Sequence, residues 1–281
     1  MIVATTIEDV KKYVKEWKKQ GFSIGLVPTM GYLHEGHASL IKRAKSECDK
    51  VIVSDFVNPI QFGPKEDLAT YPRDFDADCK LCEELGTDIV FHPEPSEMYR
   101  EGFHSYVGVD VLSSELCGKS RPIHFNGVCT VVSKLFHISE ADKAYFGQKD
   151  AQQLAIVKRM VRDLNFNIEI IGCPIIREED GLAKSSRNTY LSAGERKKAL
   201  VLHKALTEGE KMVRAGEKDA GKVIRAVREI IESEPVARID YVEIVDWNEL
   251  QKVDIIDGPI LMAVAVFIGE KVRLIDNFIV E

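Results

Sequence analysis

The sequence predicts an α/β protein: a mostly parallel sheet flanked by helices, followed by a smaller α+β C-terminal domain. Short, nearly continuous apolar runs such as Gly25-Leu26-Val27 and Val51-Ile52-Val53 read as strands covered on both faces. They alternate with amphipathic stretches of helical length, which calls for parallel pairing and right-handed crossovers. After Pro174 the order changes to two helices and then three apolar strands. A first domain over 1–175 and a second over 176–281 follow from that change.

Thr6 is placed to cap a helix running to Gln20, with Ile7, Val10, Val14 and Trp17 on its buried face and Gly21 past its end. A strand at 23–28 leads through a Pro-Thr-Met-Gly turn into a helix ending near Cys48. Strands at 51–56 and 88–91 bracket a helix at 74–85. The stretch from Pro93 to Gly118 is long and irregular, as a site wall or lid would be. A helix over 127–138, a strand at 143–146, a helix from Asp150 to Leu164 and a strand at 167–173 complete the first domain. In the second, helices at 193–215 and 219–233 precede strands at 239–246, 259–268 and 272–280.

With 281 residues, 45% of them hydrophobic, the chain has ample material for one large or two smaller cores. A net charge of −7 disfavours general binding to nucleic acid or to an anionic membrane. No apolar run approaches the roughly 20 residues that span a bilayer. The amino terminus lacks a signal-peptide pattern, so a cytoplasmic location is expected. Six cysteines include a Cys79-x-x-Cys82 pair, but it lies in an acidic helical segment without a second knuckle and reads as reduced thiols.

The chemistry is concentrated where strands end. His34 and His37 sit three residues apart at the start of the second helix, where free N–H groups and the helix dipole attract anions. Histidines in such places are often mere capping groups; here they follow a strand and a tight turn, the setting a phosphate site needs. The spacing is not the i, i+4 spacing of a helical zinc pair. Asn58 and Gln61 lie just past the second strand, where open α/β sheets hold ligands. Neither G-x-x-x-x-G-K-[ST] nor G-x-G-x-x-G occurs, so a nucleotide would need another cradle. Candidates are the turn Gly147-Gln148-Lys149-Asp150 and the loop Lys184-Ser185-Ser186-Arg187, whose cations and hydroxyls suit phosphate oxygens. Gln152 and Gln153 fall on the first turn of a helix, where glutamines usually face solvent. Amides such as Asn58, Gln61 and Gln153 would nonetheless suit a pocket for hydroxyls and one carboxylate.

Five motifs occur in one order: Pro28-Thr29-Met30-Gly31 with His34-x-Gly36-His37, Asn58-Pro59-x-Gln61-Phe62-Gly63, Tyr71-Pro72-Arg73, Phe146-Gly147-x-Lys149-Asp150-x-Gln152-Gln153, and Asp180-Gly181-Leu182-Ala183-x-Ser185-Ser186-Arg187-Asn188. In this order they resemble the pantothenate synthetase family, within the HxGH nucleotidyltransferases, over nearly the full chain. The resemblance implies a Rossmann-like first domain, a smaller lid domain whose closure keeps water out, and a homodimer. It implies ligation of pantoate and β-alanine at the expense of ATP, through pantoyl adenylate, with release of pyrophosphate and AMP. By the same resemblance, Met30, Gly31, Tyr32, Leu33, His34, Glu35, Gly36 and His37 bind ATP, joined by Gly147, Gln148, Lys149, Asp150, Ile176, Lys184, Ser185, Ser186 and Arg187. His37 is the implied proton donor, with His34 and Lys149 beside it in catalysis. Asn58, Gln61 and Gln153 bind pantoate, and Gln61 also meets β-alanine. Mg²⁺ is expected with ATP, its protein ligands left open; Asp76 and Asp78 are near, but read as a solvated acidic helix face. The rival readings are a dinucleotide-forming adenylyltransferase and a nucleotide-sensing module. A tRNA synthetase is disfavoured by the acidic chain and the lack of room for an anticodon-binding domain.

Overall fold

The structure is a computed structural model and describes residues 1–64 and 66–281. In chain order the elements are β1 (Ile2–Ala4), α1 (Ile7–Lys19), β2 (Ile24–Thr29), α2 (Glu35–Glu47), β3 (Lys50–Asp55), α3 (Phe75–Glu84), β4 (Ile89–Phe91) and the short α4 (Pro95–Met98). Then come α5 (Cys117–Ser120), α6 (His124–Ser139), β5 (Lys143–Gly147), α7 (Ala151–Asp163) and β6 (Glu169–Cys173). The chain ends with α8 (Ala193–Lys198), α9 (Leu200–Arg214), α10 (Ala220–Glu232), β7 (Ala237–Asp246), β8 (Ile260–Ile268) and β9 (Val272–Val280).

The chain divides into two compact units. The first holds residues 1–110, 121–148 and 156–174; the second holds 111–120, 149–155 and 175–281.

In the first unit the described strands form one parallel sheet in the order β1-β4-β3-β2-β5-β6. From β2 the chain steps outward to β3 and β4, then returns to the other side of β2 as β5. The strand order therefore reverses beside β2, and α/β sheets bind ligands at the carboxyl ends of the strands flanking such a point. Right-handed crossovers send α2 and α3 to one face and α1 and α6 to the other, and each pair packs together. One face is filled by Val27, Val51, Val53 and Val90 against Leu40, Ile41, Ala44 and Cys82. Thr6 caps α1 by accepting from the Asp9 N–H, and Val10, Val14 and Trp17 are buried, as the apolar spacing requires.

Three expectations shift. The strand β1 was not foreseen: it is a three-residue edge strand with an exposed Val3, too short to show alternation. The helix expected at 127–138 begins three residues earlier, at His124. The stretch expected as one helix over 193–215 is two, joined through Ala199.

In the second unit β7, β8 and β9 form an antiparallel sheet, with α10 packed on β7 and α9 on β9. Leu202, Leu206, Val223, Val227 and Ile231 meet Met262, Val264, Val266 and Phe278 in a separate apolar core. Among the described residues no helix is long and apolar enough to cross a membrane.

Candidate active site

The turn between β2 and α2 is held against its own backbone preference. Gly31 and Tyr32 both adopt positive φ, 75° and 52°, which for tyrosine costs about 1–2 kcal/mol. A Cβ at position 31 would run into the Asp55 carboxylate, so only glycine fits. Asp78, from α3, accepts from the Tyr32 and Leu33 N–H groups, both at 2.6 Å, one through each carboxylate oxygen. These short charge-assisted bonds offset the strain. Asp78 is 3% exposed, so its reading as part of a solvated face is corrected, whereas Asp76 is exposed. Burial, with Asp55 nearby, pushes the Asp78 carboxyl up to about 6. Asp55 Oδ2 is itself buried without a hydrogen-bond partner.

The turn delivers His34 as the N-cap of α2. Its Nδ1 accepts from the Gly36 N–H at 3.1 Å, and His37 Nδ1 accepts from the His34 N–H at 3.2 Å. The two imidazoles thus form a capping box of the kind usually made by a hydroxyl and a carboxylate. Their ring centroids are 4.1 Å apart. With Nδ1 accepting in each ring, the neutral tautomer carries its proton on Nε2, the nitrogen the cap does not use. The capping and functional readings of these histidines are therefore compatible, one on each ring nitrogen.

Asn58 and Gln61 flank a short turn after β3, and both are buried. Asn58 Nδ2 donates to Gln61 Oε1 at 2.9 Å and to the Gly127 carbonyl at 3.1 Å, so both amide hydrogens serve the protein. Its Oδ1 accepts from the Tyr99 hydroxyl at 2.7 Å. Gln61 Nε2 lies 3.1 Å from Met30 Sδ, which joins this turn to the one carrying the histidines. The His124 ring is 3.1 Å from the Gln61 carbonyl. A Cβ on Gly127 would stand 2.5 Å from Gln61 Cα, so α6 approaches this closely only because position 127 is glycine.

At the end of β5, Gly147 and Gln148 belong to the first unit, while Lys149 and Asp150 belong to the second. Lys149 Nζ is 3.0 Å from Asp150 Oδ2. Gln153 is half-buried on the first turn of α7. Its neighbour Gln152, expected at the surface, is buried: it accepts from the Cys117 N–H and donates to the Leu112 and Glu115 carbonyls. It pins the 112–117 stretch to α7.

The loop 176–188 is built rather than slack. Arg177 and Ala183 form a β-bridge, and the Lys184 N–H donates to the Ile176 carbonyl at 2.9 Å, bringing two of the expected nucleotide residues together. Ser185 caps the turn Ser186–Tyr190 by accepting from the Arg187 N–H, and Ser186 is buried. Arg196 holds the acidic side of the loop through Glu178 and Asp180.

Cys79 and Cys82 lie on α3, and burial pushes the Cys82 thiol up to about 12, which suppresses the thiolate. Among the described residues no group of three or more His, Cys, Asp or Glu side chains is placed to hold a metal ion.

Residues 2–279 match a family model described as pantoate-beta-alanine ligase. A curated relative from Clostridium botulinum, named pantothenate synthetase, is 62% identical over 278 residues and 99% of each chain. Another of that name, from Ruminiclostridium cellulolyticum, is 63% identical over 273 residues, 97% of this chain and 96% of its own. The crystal structure of pantothenate synthetase from Thermus thermophilus is similar with a TM-score of 0.94 at 44% identity over 99% of both chains. A pantoate-beta-alanine ligase from Francisella tularensis, complexed with beta-gamma ATP and beta-alanine, is similar with a TM-score of 0.79 at 36% identity, over 99% of this chain and 97% of its own.

Proposed function

The chain belongs to the pantoate–β-alanine ligase family, and from that premise we propose how its residues carry out the reaction. The enzyme makes pantothenate from pantoate, β-alanine and ATP through an acyl adenylate. In the first step a pantoate carboxylate oxygen bonds to the α-phosphorus and the α–β phosphoanhydride bond breaks, releasing pyrophosphate. In the second, the β-alanine amine attacks the acyl carbon. The C–N bond forms, the bond to the phosphate oxygen breaks, AMP leaves and the amine gives up a proton.

Residues Met30 to His37 hold ATP at the start of α2. His34 and His37 present Nε2–H to its phosphates, and His37 donates a proton toward the oxygen on which charge develops. Fixed donors of this kind are worth about 3–4 kcal/mol each. The observation that carries the reading is the capping box, because it sets the tautomer of both rings before substrate arrives. Gln61 and Gln153 hold pantoate, and Gln61 also meets β-alanine. Asn58 fixes the Gln61 amide and contributes through Oδ1. Gly147, Gln148, Lys149, Asp150, Ile176 and Lys184 to Arg187 complete the ATP contacts, with Lys149 and Arg187 on phosphate oxygens. Mg²⁺ accompanying ATP would neutralise charge on its phosphates as pyrophosphate leaves.

The segments 1–175 and 176–281 are taken as the Rossmann-like domain and the smaller lid domain. The enzyme is taken to be cytoplasmic and homodimeric; the exposed Tyr106 and Ile123 of the first unit fall in the apolar 105–135 stretch suited to self-association.

The test is pantoate-dependent exchange of pyrophosphate into ATP without β-alanine. His37→Asn keeps a side-chain acceptor for the His34 N–H and removes the Nε2 donor. Exchange is expected to fall about 10²- to 10³-fold with the fold intact. Near-native exchange by this variant would overturn the assignment.

A further inference from the structure

Two stretches of the second unit carry the cations assigned to the ATP phosphates, and both are tied to neighbouring residues of β9. Asn277 Nδ2 donates to the Lys149 carbonyl at 2.9 Å. Asp276 takes the Arg177 guanidinium through both carboxylate oxygens, at 2.7 and 2.9 Å. Arg177 also donates to the Gly181 carbonyl at 3.1 Å, so the fork spans the loop from its first arm to its tip. Through the Arg177–Ala183 bridge and the Lys184–Ile176 bond, that anchor continues directly into Lys184 to Arg187. Asp276 Oδ1 accepts from the Asn277 N–H at 2.8 Å, which couples the two anchors to each other.

Both residues are almost fully buried, in a strand otherwise marked by Leu274 and Phe278 on the core side. Burying a carboxylate there adds little net stability even when it is paired, and apolar residues would fill the space as well. What a bidentate fork supplies instead is a fixed direction and distance. Successive side chains of a strand leave on opposite faces, so Asp276 and Asn277 reach two separate stretches from one point of the backbone.

We propose that Asp276 and Asn277 are positioning residues that hold Lys149 and the Lys184–Arg187 loop in fixed register on one strand. This rests on the reading of those cations as ATP contacts. The clamp acts through backbone and Arg177 and touches no substrate itself.

Asn277→Asp in the full chain keeps size and shape but replaces the donor to the Lys149 carbonyl with an acceptor. The KM for ATP in pantoate-dependent exchange is expected to rise about five- to tenfold, the usual scale for one lost hydrogen bond, with the KM for pantoate unchanged. The melting temperature is also expected to fall, because the new carboxylate is buried beside Asp276 and faces a carbonyl oxygen; the split between the two KM values, which a merely structural loss would not produce, is the readout. Arg177→Lys keeps the charge opposite Asp276 but loses the fork; it should show the same split and serves if Asn277→Asp does not fold. Equal rises in both KM values, a change in melting temperature alone, or no change would overturn the clamp. Lys149→Ala is the control: if it leaves exchange intact, the site reading fails and the clamp with it. If it abolishes exchange while Asn277→Asp and Arg177→Lys do not alter the KM for ATP, the clamp alone fails.

Discussion

Asp78 illustrates how one carboxylate serves two conflicting demands. The turn needs it ionised, because both oxygens accept from backbone N–H groups. Its burial favours the neutral form and pushes it up to about 6, above the ordinary aspartate value of 3.8. The folded protein therefore holds that proton more tightly than the unfolded chain does. The resulting stabilisation, about 3 kcal/mol for a shift of some two units, is fully present below about pH 4 and lost as pH rises through about 6. Adenylate formation should move the other way, falling as pH drops through about 6 and the turn loses its charged anchor. Asp78→Asn cannot accept from both N–H groups and should lower exchange about 10- to 100-fold, on the scale of charge-assisted bonds. It should also remove the wild-type decline in melting temperature between about pH 4 and 6, measured as the difference between the two proteins by calorimetry. Parallel pH profiles would show that Asp78 does not titrate there. The residue was hard to read from sequence for a physical reason. Its partners are backbone amides, which carry no letter, and an acid among Asp74 and Asp76 looks like one more solvated charge. The places of His34, His37 and Gln61 were legible because the apolar runs before them mark strand ends, and the structure has them just past β2 and β3. Asp276 and Asn277 stand out in an apolar strand, but the carbonyl that gives Asn277 its use lies 128 positions away.

At the scale of elements, periodicity located the strands and helices that bury a continuous face, and it failed where an element is short or merely interrupted. The strand β1 has three residues, and the break at Ala199 joins two helices with no Gly or Pro at the junction to mark it. The helix α6 also carries Gly127, which lies against the backbone of Gln61. Gly127→Ala gains about 1 kcal/mol of helix propensity. The new methyl would stand 2.5 Å from Gln61 Cα and 2.7 Å from Gln61 N, and backbone cannot swing aside as a flexible side chain can. Overpacking of this kind costs about 1–3 kcal/mol, so the clash outweighs the propensity gain. The displaced atoms carry the amide assigned to pantoate. The KM for pantoate should therefore rise about tenfold while that for ATP changes little, as steady-state kinetics would record. Equal changes in both would mean that α6 does not position Gln61.

For the whole molecule, alternation of strand and helix made the parallel sheet legible, and the change after Pro174 marked a second architecture. The strand order β1-β4-β3-β2-β5-β6 was not legible, because pairing partners are chosen by packing across long sequence separations rather than by local pattern. The two apolar cores draw on different stretches of chain, Val27 to Cys173 in one and Leu182 to Phe278 in the other. A lesion in one core should therefore be felt mainly in its own unit, as cooperative units of structure open separately. Val227 is fully buried between α9 and β-sheet neighbours, and its Cγ2 would lie 2.7 Å from a Cβ at Gly209. Val227→Ala removes two methyl groups there and leaves a cavity that the close helix pair fills poorly, at about 2 kcal/mol. Hydrogen exchange followed by mass spectrometry should show amides of β8 and β9 exchanging about 30-fold faster, the rate equivalent of that loss, with β2 and β3 unchanged. Equal acceleration in both sheets would mean that the two cores unfold as one.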